Sequence, residues 1–406
     1  MKRNPSLGLN VDLIILMVSI VLASFLPYTI MFGALFVFAR LLYRSAPLKQ
    51  PIYSFTNLII LLIVFWLYRS NGISNGTITN IPGWIITISS ILMYLIGMSY
   101  GKYYQSGKDV LYIFFMLSIA FALPHLLLTI EDIFKTGLIN PERHLEILDE
   151  DQRNTTQRVI ELSLCLSAIS FTFCNTKVRK SNKEINYFVL LSIIAFICSL
   201  HYVSRTGIAL FGISLLLGFL LFRKKGTTFN ITAVLLVIAA VAIFNNTAIG
   251  SIYAERETTA GASIIEGGGR FEKWGIWTAL VLSNPGGIRE LDSLQDFYGF
   301  AHNMWIDFGK YAGVASFFLL IFFSLRNVYH CVAIYFNKHV NDSLLKQLIL
   351  IFVIIFFLAN MTEPIHEGSP SYFYLYFFFC GITDVIYFQN RSRKIYTNEN
   401  RLLWSI

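Results

Sequence analysis

Charged side chains are scarce in this chain of 406 residues. Asp, Glu, Lys and Arg make up 14% of it and hydrophobic residues 55%, whereas soluble proteins carry about 25% charged residues. So few charges cannot coat the surface of a water-soluble globule. The composition therefore excludes a soluble enzyme, a nucleic-acid-binding protein, a coiled coil and a disordered chain.

The sequence also shows no paired cysteines in its polar loops and no recognisable cleavage site for a signal peptide. The five cysteines lie in or beside apolar runs, and no polar loop contains two of them. The sequence therefore supplies neither a disulfide framework nor a CxxC metal site. The N-terminus is basic, but the apolar run that follows has no convincing cleavage site, and we expect this run to be the first membrane span.

The sequence has instead a series of long apolar runs separated by short polar segments. Runs of about 16 to 22 residues are long enough to cross about 30 Å of hydrocarbon as helices. A helix satisfies its own backbone hydrogen bonds in lipid, so we predict an all-α, polytopic integral membrane protein with about twelve transmembrane helices. The predicted spans are 10–26, 28–43, 53–69, 81–100, 109–130, 157–175, 185–204, 206–222, 229–248, 308–325, 345–361 and 372–389.

The basic residues orient these spans. With the N-terminus inside, 21 of the 32 Lys and Arg residues fall in short cytoplasmic segments, as the positive-inside rule requires. Both termini are then cytoplasmic, and the net charge of +8 needs no nucleic-acid partner. The predicted organisation is spans one to nine (1–249), a large outward loop (250–307), and spans ten to twelve with a cytoplasmic tail (308–406).

The outward loop contains apolar residues at helical spacing. They predict an amphipathic helix that lies in the outer membrane interface or packs against the bundle. The residues are Phe271, Trp274, Trp277, Leu280 and Val281.

Three groups of residues on the predicted outer side could carry chemistry. Arg205 lies alone between two spans, where an arginine snorkels to lipid phosphate, pairs with an acid or binds an anion. Gly269 and Arg270 end a run of glycines whose N–H groups can face an anion. His302 precedes the tenth predicted span and can take up a proton near neutral pH, although a lone histidine is more often structural.

The residue types in these groups favour a diphosphate ligand. Arginine presents a planar, permanently charged fork that binds phosphate oxygens bidentately. The sequence has no His/Cys cluster, no HExxH string and no Walker loop. We therefore predict neither a metal nor a cofactor.

The order of these motifs resembles the O-antigen polymerase and O-antigen ligase superfamily of bacterial envelope glycosyltransferases. The match covers about residues 200 to 325 and includes Ser204-Arg205-Thr206-Gly207, Gly269-Arg270 with Trp274 and Trp277, Asn284-Pro285-Gly286, and His302-Asn303 with Asp307 and Gly313. The resemblance implies a metal-independent, GT-C-like glycosyltransferase of the bacterial inner membrane, active at its periplasmic face. Its donor would be an undecaprenyl-diphosphate-linked oligosaccharide within the membrane lipid, and its expected partners a chain-length regulator and a flippase.

The resemblance also implies roles for single residues. Arg205 and Arg270 would bind the donor diphosphate, and His302 would activate the acceptor hydroxyl. The chain departs from the family pattern after Gly287, where Ile288-Arg289 makes Arg289 a further candidate phosphate contact. The remaining predicted substrate-binding residues are Gly269, Asn303, Trp274 and Glu363, and the last of these, like Asp307, is also an alternative base or sugar ligand.

Polymerase, ligase and transporter remain alternatives. We favour the polymerase over the ligase because a bias towards Ile, Phe, Asn and Lys is typical of exchanged surface-glycan clusters. A transporter or flippase for lipid-linked oligosaccharides would need repeated halves and ionisable residues inside the spans. We find no half-repeat, expect only Asp12 and Glu161 to be acids within spans, and expect His330 in a cytoplasmic loop, so transport is less favoured.

Overall fold

A computed structural model describes residues 5–26, 28–44, 55–76, 78, 80–104, 106–139, 150–167, 183–202, 204, 207–208, 211–212, 251, 270–299, 301–338, 340–362 and 370–403. Over these residues the chain is helical, with turns between helices and no β-strand. The helices in this part of the chain are α1 (Pro5–Ala23), α2 (Thr29–Arg44), α3 (Thr56–Ser74), α4 (Asn80–Tyr103), α5 (Gly107–Thr136), α6 (Glu150–Ser167), α7 (Lys183–His201), α8 (Arg270–Ser283), α9 (Leu291–Tyr298), α10 (Met304–Ala312), α11 (Val314–Phe336), α12 (Ser343–Thr362) and α13 (Pro370–Leu403).

Five of the described helices are long and apolar enough to cross a membrane. They are α3, α5 and α11, together with Gly83–Tyr103 of α4 and Ser343–Met361 of α12. Shorter apolar stretches occupy Val11–Ala23, Thr29–Tyr43 and Val189–His201. The chain is thus a helical membrane protein, as its composition predicts.

Helices overlap ten of the twelve predicted spans; only 157–167 of the span 157–175 lies within the described residues, and the span 308–325 contains two helices. Predicted spans 206–222 and 229–248 fall outside the described residues except at 207–208 and 211–212. The number of spans and the cytoplasmic placement of both termini therefore stay predictions.

One predicted boundary was wrong, because the tenth apolar run is not a single helix over 308–325. The chain breaks at Gly313, where α10 ends and α11 begins. Gly313 has a φ of 85°, and a Cβ at this position would overlap the carbonyl oxygen of Pro285. Only glycine allows this conformation and this close approach at once. The break separates a short helix after His302 from the long apolar helix α11.

The described residues belong to two compact units. The first comprises Met1–Phe121 and Trp277–Ile406, and the second Ala122–Ile276. In the first unit α4 packs along α13, and α11 contacts α3, α10, α12 and α13. In the second unit α6 packs against α7.

Aromatic rings fill the interior of the first unit. The ring of Phe65 on α3 lies 5.6 Å from that of Phe308 on α10 and 5.5 Å from that of Phe377 on α13, between centroids. Phe308 also stacks on Phe373 at 5.4 Å. Edge-to-face and offset pairs of this kind add to the apolar area that they bury. They hold α10, which follows His302, against the core.

Glycines allow α4 and α13 to approach each other closely. A Cβ at Gly97 of α4 would overlap the backbone carbonyl of Phe378, and one at Gly381 of α13 would overlap that of Tyr94. A Cβ at Gly101 would lie 2.8 Å from the carbonyl oxygen of Ile382. Small residues four positions apart are a common way to pack helices in membranes, where lipid gives no hydrophobic drive for association.

We predict that Gly97→Ala lowers the thermal unfolding midpoint of the protein in detergent. The methyl group has to push α13 away, at a cost of about 1–3 kcal/mol. Gly275→Ala is the matched control, because a Cβ at Gly275 meets no atom within 4 Å and alanine favours a helix. The two variants should therefore shift the midpoint in opposite directions. A Gly97→Ala midpoint at or above that of the wild type would contradict the close packing.

Candidate functional site

His302 has an unusual backbone conformation. Its φ is 53°, and it is the sole non-glycine residue with positive φ in the part of the chain that the structure describes. Such a conformation costs about 1–3 kcal/mol and persists only where the surroundings impose it. It is also found most often at functional sites. The loop before α10 is therefore built to hold this residue in one particular arrangement.

The side chain of His302 also differs from those of the other described histidines. His125, His201 and His330 are 5%, 0% and 2% exposed, respectively, whereas His302 is only partly buried. A base that takes a proton from a substrate has to reach that substrate. Of the histidines in the described ranges, His302 is thus the one placed to do so.

Asn303 fixes the chain directly after His302. Its Oδ1 accepts hydrogen bonds from the backbone N–H groups of Trp305 at 3.1 Å and Ile306 at 3.2 Å, which makes it the N-cap of α10. Its Nδ2 donates to the carbonyl of Met361 near the end of α12, at 3.4 Å. Asn303 thus has a capping role, and its side chain is only 6% exposed; that it also binds substrate stays a prediction.

A buried ion pair lies just beyond this cap. Lys310 Nζ is 2.8 Å from Asp307 Oδ1, and both side chains are fully buried. The ammonium group also lies 4.9 Å from the ring centroid of Trp277, whose Nε1 donates to the carbonyl of Gly299 at 2.9 Å. The pair and the tryptophan together connect α8, the loop before His302 and α10.

The Asn284–Arg289 loop is anchored to α10 and to the start of α11. The backbone N–H of Ile288 donates to the carbonyl of Lys310 at 2.8 Å, and that of Val314 donates to the carbonyl of Pro285 at 3.2 Å. Ile288 is buried, whereas the next side chain, Arg289, is exposed. The loop thus holds the predicted phosphate contact Arg289 at the surface of the first unit.

Asn71 of α3 and Asn75, the C-cap residue of this helix, complete this anchoring. Asn71 Nδ2 donates to the carbonyl of Ala312 at 2.9 Å, and Asn75 Nδ2 donates to that of Gly286 at 2.8 Å. Both acceptors are backbone carbonyls, so these bonds do not depend on the side chains of the loop or of the end of α10. His302, Asn303 and Arg289 thus lie on two loops of the first unit that hydrogen bonds attach to neighbouring helices.

The Ser204–Gly207 motif belongs to the second unit. Ser204 Oγ donates to Glu161 Oε1 at 2.6 Å and accepts a hydrogen bond from the backbone N–H of Gly207 at 3.1 Å. Gln157 Nε2 donates to the same carboxylate oxygen at 2.9 Å. A Cβ at Gly207 would lie 2.9 Å from Ser204 Oγ and 3.0 Å from Glu161 Cγ, so a larger residue there would crowd this hydrogen bond.

A second polar pair lies close to this motif along the chain. His201 Nε2 is 2.7 Å from Asp132 Oδ2, and both side chains are fully buried. The other ring nitrogen of His201 lies 3.2 Å from the carbonyl oxygen of Leu138. The pair therefore links the ends of α5 and α7 three residues before Ser204.

The remaining predicted residues divide into described and undescribed positions. Arg270 begins α8 and is partly buried, and Trp274 follows one turn later with its ring 5.3 Å from that of Phe271. The predicted helix is thus present, and its place in a membrane interface stays a prediction. Arg205, Gly269 and Glu363 lie outside the described residues.

Sequence reasoning missed a polar cluster in the first unit. Asp384 of α13 accepts hydrogen bonds from Asn57 Nδ2 at 2.5 Å and Tyr94 Oη at 2.5 Å, and its other oxygen is 2.6 Å from His330 Nδ1. All four side chains are almost completely buried. The expectation that His330 lies in a cytoplasmic loop was wrong, because it lies within α11. A single carboxylate inside the aromatic run 372–389 was the signal that could have revealed the cluster.

The described residues do not include a group of three His, Cys, Asp or Glu side chains arranged to hold a metal ion. Comparisons with models of protein families and with curated proteins find no match to this chain.

We predict that Lys310→Met destabilises the protein by about 3–5 kcal/mol, because Asp307 then stays buried without its cation. The double variant Asp307→Asn/Lys310→Met removes both charges and should recover most of the loss. Thermal unfolding in detergent measures both effects. If the single variant unfolded at the wild-type midpoint, the pair would not support the segment that carries His302.

Proposed function

We propose that the chain is an O-antigen polymerase. It joins undecaprenyl-diphosphate-linked oligosaccharide repeat units at the periplasmic face of the bacterial inner membrane. The order of motifs from Ser204 to Gly313 supports this function, as does the helical membrane fold. The observation that carries the proposal is His302, a partly exposed histidine with a positive φ in a loop that hydrogen bonds hold on both sides.

The proposed reaction is a single displacement at the anomeric carbon of the donor sugar. The acceptor hydroxyl oxygen forms a bond to this carbon, the bond from the carbon to the diphosphate oxygen breaks, and undecaprenyl diphosphate leaves. His302 takes the proton of the hydroxyl as general base. One displacement of this kind inverts the configuration of the anomeric centre.

Arginines neutralise the leaving group in this proposal. Arg205 and Arg270 bind the diphosphate, and Arg289 is a further phosphate contact. Charge on the diphosphate oxygens increases as the bond breaks, so bidentate N–H donors stabilise the transition state more than the ground state. The chemistry is therefore possible without a metal ion.

A ligase would use the same donor and the same residue types. It differs in the acceptor, which is lipid A–core instead of a second lipid-linked repeat. Because the two enzymes differ in their acceptor, they make different products, and the lipopolysaccharide pattern distinguishes them.

Transport of lipid-linked oligosaccharides is a second candidate function, and one observation favours it. Two Asp–His pairs, Asp384 with His330 and Asp132 with His201, are buried within helices of the described chain. Ionisable residues inside membrane helices are costly and often mark transport or proton pathways. The expectation that Asp12 and Glu161 are the only acids within spans was wrong, and this removes one argument against transport.

We predict that His302→Gly abolishes polymerisation without reducing the stability of the protein. Glycine adopts the φ of 53° without strain, so the backbone is kept and the imidazole alone is lost. Loss of a general base typically lowers the rate by about 10²–10⁴-fold. In a strain that lacks the native gene, the lipopolysaccharide ladder should shrink to core plus one repeat unit.

Two comparisons make this result specific. Ser283→Ala changes an exposed residue at the end of α8 and should leave a normal ladder at the same expression level. Core without any repeat, with polymer accumulating on the lipid carrier, would instead identify a ligase. A normal ladder for His302→Gly would contradict the proposed role of the histidine.

A further inference from the structure

Arg69 lies in an apolar helix, and sequence reasoning assigned it no role. It occupies the second half of α3, one of the helices long enough to cross a membrane. Its guanidinium carbon lies 3.7 Å from the ring centroid of Trp84 on α4, and its side chain is partly buried. This is a close cation–π contact that fixes the plane of the guanidinium group.

Among the residues that the structure describes, no acid forms an ion pair with Arg69. Within the described ranges, Arg40 pairs with Asp12 at 2.5 Å and Lys310 with Asp307 at 2.8 Å, but no carboxylate pairs with Arg69. Its buried Nε has no hydrogen-bond partner among the described residues. A ring stacked on a guanidinium covers one of its faces and accepts none of its in-plane N–H groups, so stacking on Trp84 does not satisfy the buried Nε–H of Arg69. An arginine in a membrane-spanning helix is costly unless it reaches the interface, pairs with an acid or binds an anion, and a bound anion would satisfy this donor.

The helical register places Arg69 beside the segment that carries the predicted site. Tyr68, Asn71 and Asn75 share one face of α3, since they are three, four and seven positions apart. Asn71 and Asn75 donate to the end of α10 and to the Asn284–Arg289 loop. Arg69 is rotated by about 100° from Tyr68, towards α4 and Trp84, and lies about 9 Å along the helix from Asn75. The residue thus flanks the end of the first unit that also exposes Arg289.

We propose that Arg69, supported by Trp84, binds a phosphate group of a lipid. A planar fork of N–H donors matches phosphate oxygens bidentately, and stacking on Trp84 orients that fork before the ligand arrives. The phosphate belongs to a polyprenyl diphosphate or to the headgroup of a bilayer lipid, and both offer the same oxygens to the arginine. The inference concerns binding alone and does not depend on sugar transfer.

The test measures lipid binding to the full-length protein in dodecyl maltoside micelles, which contain no phosphate. The probes are undecaprenyl diphosphate, dioleoylphosphatidylglycerol and uncharged dioleoylglycerol, and native mass spectrometry gives the bound fraction of each. We expect Arg69→Gln to weaken binding of phosphate lipid by roughly tenfold or more, and Trp84→Leu by roughly fivefold. Binding of dioleoylglycerol should not change.

Control variants separate a lost ligand from a lost fold. Arg391→Gln removes an exposed arginine of α13 and should bind all three probes as the wild type does. Arg69→Lys keeps the charge without the fork and should retain part of the binding. A loss limited to undecaprenyl diphosphate supports the site with the lipid carrier as its ligand, and a loss for both phosphate lipids supports it with any lipid phosphate. Wild-type binding of both by Arg69→Gln would overturn the proposal.

Discussion

The structure depends on how polar side chains are satisfied inside an apolar helical bundle. A buried charge without a partner costs several kcal/mol, and lipid offers no hydrogen bonds in compensation. Each unit meets this constraint with close pairs: Asp307–Lys310 and Asp384–His330 in the first, and Asp132–His201 in the second. The two Asp–His pairs each join two different helices, whereas Asp307 and Lys310 lie one turn apart on α10, where the ammonium group of Lys310 also contacts Trp277 of α8.

The Asp307–Lys310 pair also helps to position candidate site residues. Asp307–Lys310, with Trp277, holds the loop that carries His302, and the backbone carbonyl of Lys310 anchors the loop that carries Arg289. In the second unit, Glu161 accepts a hydrogen bond from the hydroxyl of Ser204 and so fixes the position of that residue. Of the residues proposed for chemistry that the structure describes, His302 and Arg270 are partly exposed and Arg289 is exposed, and buried neighbours hold the loops of His302 and Arg289.

The sequence predicted the helical membrane fold because long apolar runs and basic segments follow directly from the thickness of the bilayer. It predicted the helix at Phe271–Val281 from spacing alone. The break at Gly313 could not be predicted, since it depends on the approach of Pro285, 28 positions earlier in the chain. The capping role of Asn303 and the partners of Asp384 likewise depend on contacts between distant segments. Spacing along one helix carries no information about such contacts.

Elongation of a lipid-linked glycan by the purified protein tests the central proposal most directly. The full-length chain is reconstituted in liposomes that contain undecaprenyl-diphosphate-linked repeat units, and both the glycan length and the free undecaprenyl diphosphate are measured. We predict longer lipid-linked glycans, with one undecaprenyl diphosphate released for each repeat unit added. Movement of the substrate between the two leaflets, with no elongation and no release, would contradict the proposal and establish transport instead.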